Sequence, residues 1–200
     1  MLRLVRFIVG VLLGLLLWVA TASAYNRFVA AGTETLLQFD TRFADAEVTA
    51  GKSRMTVLSP SGSFPTTILP VAQLTYNVIL LVGLFGSNDR PWRRANLLAF
   101  FVSLILIAAL HPIGAFVTAE STYANQLDRW SEEHFSTAAA ASWRIAEMFY
   151  RLVGLFGAVF ACWWLASHST ATEERRNNGA QHHGRMASGS PRRAVRRMPH

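Results

Sequence analysis

A histidine inside a long uncharged stretch is the side chain of this sequence best suited to chemistry. His111, followed by Pro112, lies in the segment Asn96–Thr118, which contains no charged residue. An imidazole is costly in lipid unless it meets a partner or water, so His111 could relay a proton or hold a metal ion. The apolar segments of the chain supply no second imidazole and no carboxylate. The sequence therefore favours a packed, hydrogen-bonded histidine at a proline kink.

Three polar side chains form a polar face on the apolar segment Leu69–Gly86. Gln73 and Asn77 are one helical turn apart, and Tyr76 lies between them. Polar side chains in membrane helices commonly form hydrogen bonds to a neighbouring helix, and we interpret these three in that way. The alternative is that they contact a substrate.

The remaining reactive side chains lack the partners that catalysis requires. Cys162 is the only cysteine, so it cannot form an intrachain disulfide. Glu132, Glu133 and His134 are of metal-binding types, but adjacent residues on a helix point in different directions. No serine-hydrolase, zinc-protease or nucleotide-binding motif occurs. The sequence predicts no catalytic residue, no metal site and no cofactor.

The elements that must hold these side chains are membrane helices. Hydrophobic residues make up 52% of the chain and charged residues 16%, and the apolar residues are gathered into four blocks, which excludes a water-soluble enzyme with one central core. About 20 apolar residues span the hydrocarbon core as a helix, and backbone groups in lipid must be paired internally. We therefore predict an all-α integral membrane protein with four transmembrane helices, at Phe7–Asn26, Leu69–Gly86, Asn96–Thr118 and Leu152–Ser167.

The first apolar block has two interpretations. Residues 1–24 fit a signal peptide, with a basic start, an apolar middle and a small-residue cleavage site at Ala22-Ser23-Ala24. An apolar stripe with helical spacing continues beyond that site and favours a retained helix; its members are Phe28, Leu36, Phe39 and Phe43. Gly10 and Gly14 form a GxxxG motif, which permits close helix packing without naming the partner.

Arginines set the predicted orientation of the chain. The net charge is +7, and Lys or Arg close to a span end is retained in the cytoplasm. Basic residues gather at the N-terminus, in the loop 87–95 and in the tail 168–200, so both termini are predicted to be cytoplasmic. The residues assigned to topology and lipid contact are Arg90, Arg93, Arg94, Arg175, Arg176, Arg192, Arg193, Arg196 and Arg197.

The composition of the tail predicts disorder, and its positive charge suits anionic lipid. No basic-aromatic module typical of nucleic-acid binding is visible. The strong preference for arginine over lysine suggests a bacterial inner membrane rather than a eukaryotic one.

Two segments are predicted to lie outside the cytoplasm. Residues 27–68 contain a β-hairpin at 47–58, and residues 119–141 form an acidic loop between the last two helices of the membrane region 69–167. A two-stranded hairpin is marginal alone in water, so it must lean on the membrane, on the second loop or on a partner. The candidate partner surface is Glu47, Val48, Met55, Val57 and Trp130, the last also suited to the lipid headgroup level.

This order of features resembles that of the small membrane proteins associated with bacterial exosortase systems. The resemblance rests on the first span, the hairpin Glu47–Leu58, the prolines around the second span (Pro65 and Pro70) and the arginine loop Asp89-Arg90-Pro91-Trp92-Arg93-Arg94. It implies an accessory protein in the sorting of exported proteins that carry C-terminal anchors. Exosortases themselves resemble multispan proteases that bring Cys, Arg and His together, whereas Cys162 and His111 are predicted to lie at different depths.

The sequence thus predicts a non-enzymatic accessory protein that binds membrane or periplasmic partner proteins. One alternative is a small transporter or channel subunit with a polar path past Gln73, Asn77 and His111. A third class is an intramembrane hydrolase that uses His111 or Cys162.

Overall fold

The computed structural model of the protein describes residues 1–88 and 90–166. The elements in chain order are helix α1 (Leu2–Gln38), a 3-10 turn (Thr41–Phe43), strands β1 (Glu47–Ala50), β2 (Met55–Leu58) and β3 (Thr67–Leu69), and helices α2 (Val71–Thr75), α3 (Asn77–Gly86), α4 (Arg94–Asn125), α5 (Asp128–His134) and α6 (Thr137–Phe149). A π-helical turn (Tyr150–Gly154) extends α6, and the helical path reaches Ala166. The predicted tail 168–200, with Arg175, Arg176, Arg192, Arg193, Arg196 and Arg197, lies outside the described residues.

Three helices are long and apolar enough to cross a membrane, by length and composition: Leu2–Gln38, Arg94–Asn125 and Thr137–Ala166. The remaining predicted span, Leu69–Gly86, is shorter in the structure. It has five residues in α2, then Tyr76, then ten residues in α3. That length rises about 24 Å, against a hydrocarbon core of about 30 Å. Leu69 belongs to β3 rather than to this helix. The chain is therefore mainly helical and membrane-associated, and the fourth crossing stays a prediction.

Helix α1 continues without a break far beyond the predicted first span. It has 37 residues and therefore rises about 55 Å. The residues that its second half buries are Ala22, Asn26, Val29, Ala30, Thr33 and Leu37. Of the predicted stripe, Phe43 is fully buried in the 3-10 turn, whereas Phe28 and Phe39 are 53% and 82% exposed. The buried face of α1 includes two polar residues, Asn26 and Thr33, which a search for apolar periodicity passes over.

The first half of α1 packs against α3 through glycines. A Cβ at Gly10 would lie 3.0 Å from the Cα of Gly83, and a Cβ at Gly14 would lie 3.1 Å from the carbonyl oxygen of Ile79. The two backbones can approach this closely because neither glycine carries a side chain. The GxxxG motif therefore mediates a contact within the chain.

The predicted hairpin is present, and a third strand joins it. The sheet is antiparallel with the order β1-β2-β3. Val48 lies opposite Val57, and Val57 lies opposite Thr67. Strand β3 has three residues between Pro65 and Pro70, which is too short a run to show alternation in the sequence.

The strands of the sheet run along the second half of α1. Gln38 Nε2 donates to the carbonyl oxygen of Ala46 at 2.9 Å, and the backbone N–H of Val48 donates to Glu34 Oε2 at 2.8 Å. Asn26 lies twelve residues before Gln38 in α1, and its Nδ2 donates to the carbonyl oxygen of Lys52 at 3.0 Å. Strand β1 therefore runs antiparallel to α1, and its turn points toward the apolar half of the bundle.

We call the sheet, the second half of α1, the end of α4 and helix α5 the sheet body. Aromatic rings fill its core: the ring centroid of Phe43 lies 5.1 Å from that of Phe64 and 4.8 Å from that of Tyr123. The Trp130 centroid lies 5.4 Å from that of Tyr123, and Phe135 is 8% exposed. Trp130, which is half-buried, is therefore a packing residue of the body.

The glycine contact predicts a selective loss of stability in the variant Gly14→Leu. The new side chain would collide with the backbone of α3, and overpacking of this kind costs about 1–3 kcal/mol. Thermal unfolding in detergent should show a clear decrease in melting temperature for Gly14→Leu. Leu16→Val is the matched control, since Leu16 lies two residues further along the same helix and is 69% exposed. This variant should melt close to the wild type. Equal melting of the two variants would contradict the assigned contact.

Candidate functional site

The predicted histidine lies in a buried hydrogen-bonded chain. Nε2 of His111 is 2.8 Å from Asn77 Oδ1, and Nδ1 is 2.5 Å from the hydroxyl of Tyr25. An amide oxygen only accepts, so Nε2 carries the proton in the neutral ring and Nδ1 accepts from Tyr25. Both nitrogens of His111 are thereby paired, and the side chain is 1% exposed.

The chain continues from Asn77 to the last helix. Asn77 Nδ2 donates to the carbonyl oxygen of Leu155 at 2.9 Å, directly after the π-helical turn. The same turn brings Tyr150 onto α4, where its ring occupies the space beside Gly114 that any Cβ would fill. Four helical segments are therefore joined at this level, and we call Tyr25, Asn26, Asn77 and His111 the polar junction.

Asn26 links the polar junction to the sheet body. Its amide nitrogen donates to the carbonyl oxygens of Gly51 at 3.2 Å and Lys52 at 3.0 Å, in the turn between β1 and β2. Asn26 is fully buried, and the hydroxyl of Thr75 in α2 lies 3.5 Å from its amide oxygen. The junction therefore lies where the apolar helices meet the sheet body.

The structure brings together only part of the predicted polar set. Asn77 and His111 meet, whereas Gln73 is exposed and Tyr76 is 40% exposed, with its ring 6.2 Å from that of Phe156. Gln73 belongs to α2 and Asn77 begins α3, with Tyr76 between the two helices, so Gln73 and Asn77 do not share one face of a continuous helix. Of the three, only Asn77 makes an interhelical hydrogen bond.

Most of the proposed partner surface lies inside the sheet body. Met55 and Val57 are fully buried and Val48 is 7% exposed, because the alternation of β1 and β2 turns these side chains toward α1 and α4. Trp130 is half-buried, and Glu47 is exposed. Val48, Met55 and Val57 are therefore core residues, and the hairpin cannot offer them to a partner.

The loop between α3 and α4 carries three of the predicted topology residues, Arg90, Arg93 and Arg94. Asn96 Nδ2 donates to the carbonyl oxygen of Arg90 at 2.7 Å, and this hydrogen bond ties the loop to the first turn of α4. Gly86, at the end of α3, lies beside the backbone of Arg6. The basic start of α1 and the basic loop are therefore at the same end of the bundle.

A charged cluster that no sequence pattern indicated lies at the opposite end of the bundle. Arg42 donates to both oxygens of Asp40, and its guanidinium lies 4.0 Å from the ring centroid of Phe135. The hydrogen bonds from Arg42 hold the pKa of Asp40 below its usual range. Arg42 Nη2 also lies 3.3 Å from Oε2 of Glu120, which is fully buried. This cluster ties the end of α1 to α4.

A second carboxylate organises the loop between β2 and β3. Asp45 accepts hydrogen bonds from the hydroxyls of Ser59 at 2.6 Å, Ser61 at 2.5 Å and Ser63 at 2.8 Å, and from the backbone N–H of Ser61 at 3.1 Å. These donors stabilise the ionised form, so the pKa of Asp45 lies well below its usual range. The serines and Asp45 are far apart in the sequence, which is why their pairing was not predicted.

Cys162 and His134 lie on different helices of the described part of the chain. No group of three or more His, Cys, Asp or Glu side chains among those residues is placed to hold a metal ion. Cys162 lies twelve residues beyond Tyr150 on the last helix, and His134 stacks on Trp130 with ring centroids 4.3 Å apart. Comparisons with known protein families, with curated proteins and with solved structures found no match.

The polar junction predicts coupled losses of stability. His111→Leu leaves the hydroxyl of Tyr25 and the amide oxygen of Asn77 buried without their partner, which costs about 1–3 kcal/mol. Asn77→Leu should cost a similar amount, and the double variant should lose less than the sum of both, because the two residues share one hydrogen bond. Unfolding in detergent measures all three, with Gln73→Leu as the exposed control. Additive losses would contradict the shared bond.

The Asp45 cluster predicts the direction of a pH effect. Because the folded pKa is depressed, the cluster stabilises the loop above the ordinary carboxyl pKa of about 3.9 and loses this effect only as the pH falls through the lower folded value. An NMR titration of the Asp45 carboxyl carbon should give a midpoint below that of an ordinary aspartate. Ser61→Ala combined with Ser63→Ala should move the midpoint upward. An unchanged midpoint in that variant would show that the hydroxyls do not stabilise the charge.

Proposed function

We propose that this chain is a non-enzymatic accessory protein of a bacterial inner membrane, which holds a partner protein on its sheet body. One observation supports this most directly: a single hydrophobic core runs from Val29 and Leu37 of α1 through the sheet to Ala119 and Tyr123 of α4. The body is thus built directly onto the extended ends of two apolar helices. Such a platform suits the presentation of a surface at a fixed height above lipid.

We propose that four helices cross the membrane and that both termini are cytoplasmic. The basic start of α1 and the arginine loop share one end of the bundle, which agrees with the retention of basic residues in the cytoplasm. The sheet body, with its buried Glu120 and its Asp45 cluster, is then extracytoplasmic. The short α2–α3 helix is accommodated by local thinning of the bilayer, which costs fractions of a kcal/mol per Å.

The setting suggested by the resemblance is an exosortase-type sorting system. An accessory role fits a chain whose buried histidine is engaged within its own bundle: both His111 nitrogens and the Asn77 amide have partners there. In that setting, deletion of the chain should leave uncleaved C-terminal anchors on exported proteins. Normal anchor processing in the deletion strain would remove this part of the proposal.

A second candidate function is a transporter or channel subunit. The observation that favours it is the buried imidazole of His111, whose Nδ1 lies 2.5 Å from the hydroxyl of Tyr25 on a neighbouring helix and can exchange a proton with it. A measurable proton flux in vesicles that is abolished by His111→Gln, with unchanged amounts of folded protein, would support this alternative over the accessory role.

The proposed topology predicts the labelling of single cysteines in a Cys162→Ser background. Ser53→Cys should react with an impermeant maleimide in intact cells after removal of any outer envelope. Trp92→Cys, at a position that is 84% exposed in the loop before α4, should react only after the inner membrane is opened. Labelling of Trp92→Cys in intact cells would overturn the orientation.

The accessory role predicts that a partner depends on the sheet body and not on the lipid-facing surface. A stoichiometric partner should remain bound to the wild type and to Leu16→Val after mild solubilisation. It should be lost from Val57→Asp, which places an unpaired charge in the core of the body. If the wild-type protein purifies without any stoichiometric partner from cells at native expression, the proposed function is wrong.

A further inference from the structure

The two edges of the sheet differ in how their backbone groups are paired. Along β1, the N–H of Val48 donates to Glu34 and the carbonyl of Ala46 accepts from Gln38, both from α1. A helix thus covers this edge with polar side chains, which blocks further strand pairing there. Any added strand must therefore use β3.

The register shows which backbone groups β3 turns outward. Since the N–H of Val48 points to α1, the pair Val48–Val57 is not hydrogen-bonded, and the backbone of Val57 faces β3. Val57 then pairs with Thr67, so the N–H and C=O of Ile68 point away from β2. In the described part of the chain, Ile68 makes no further hydrogen bond, and it is 58% exposed.

We propose that the outer edge of β3 is the docking strand for an extended segment of a partner protein, which adds a fourth strand to the sheet. This inference rests on the proposed accessory function and names the surface that performs it. The N–H and C=O of Ile68 supply the central pair of backbone hydrogen bonds, and its side chain supplies an apolar contact. Pro65 and Pro70 limit the edge, so the added strand is short.

The surroundings of the edge define the chemistry of its occupant. Residues 55–88 contain no Asp, Glu, Lys or Arg, so neither β2 nor β3 carries a charged side chain that could pair with a charge on an incoming strand. The matching segment is therefore uncharged and places an apolar side chain beside Ile68. Charges that ordinarily prevent strand addition at an open edge are also missing from this stretch.

Antiparallel pairing with a second copy of the chain does not fit this edge. The strands run along α1, and thus along the direction in which the long helices cross the membrane. Antiparallel pairing of two β3 strands would turn one molecule upside down relative to the other. Pairing of β3 with β1 of another copy is blocked by Glu34 and Gln38. A different protein, on the same side of the membrane as the sheet body, is therefore the occupant.

Hydrogen exchange of the purified protein tests the open edge without any partner. The amide of Ile68 should exchange about tenfold faster than those of Thr67 and Leu69, which are paired with β2. Equal protection of the three amides would overturn the inference and leave the proposed accessory function untouched.

Proline at position 68 tests the docking itself. Proline is tolerated in an edge strand where its missing N–H would face outward, so Ile68→Pro should fold and melt like Ile68→Val. Ile68→Pro should retain about tenfold less partner after mild solubilisation, whereas Ile68→Val should retain it. If the proline variant folds poorly, Ile68→Lys tests the same edge. It places a charge there and should also retain less partner.

A photo-crosslinking residue at position 68 separates the possible results in native membranes. An adduct with a partner peptide at position 68, and none from the same residue at the exposed Thr49, supports docking on β3. A 68-to-68 adduct between two copies would overturn the choice of occupant. A partner that binds the wild type, Ile68→Pro and Ile68→Lys equally would overturn docking on β3 and leave the accessory function standing. The absence of any partner on the wild type would overturn both the docking and the accessory function.

Discussion

The length of α1 is the constraint on which the rest of the structure depends. A helix that rises about 55 Å has far more residues than about 30 Å of hydrocarbon can use, so its second half must find other cover. The sheet supplies that cover, and Glu34, Gln38 and Asn26 fix it by hydrogen bonds to β1 and its turn. Helix α4 closes the other side of the same core through Ala119 and Tyr123.

The polar junction solves a related problem at the level where the two parts meet. A buried imidazole, amide or phenol is costly unless it is paired, and His111, Asn77 and Tyr25 pair with one another across three helices. The π-helical turn places the Leu155 carbonyl within reach of Asn77 and brings Tyr150 onto Gly114. The junction thereby fixes the relative register of the helices that carry the sheet body.

The sheet body combines a protected edge with an open one. Protection of β1 comes from α1, whereas the outward backbone groups of Ile68 in β3 have no hydrogen-bond partner among the described residues, and a proline lies on either side of that strand. This asymmetry is what permits one defined site of strand addition and prevents growth of the sheet from both edges. It also agrees with an accessory role, since a partner held by its backbone places few demands on this chain for chemistry of its own.

The sequence by itself determined the helical, membrane-associated character and the presence of a hairpin at 47–58, because these follow from local apolar patterns. It also identified His111 and Asn77 as buried polar residues, because such side chains are conspicuous among apolar ones. Only the tertiary structure decided that they meet each other, that Val48, Met55 and Val57 face inward, and that Asp45 gathers three serines. Those facts depend on which elements lie side by side, and contacts between residues distant in the chain leave no periodic signal in it.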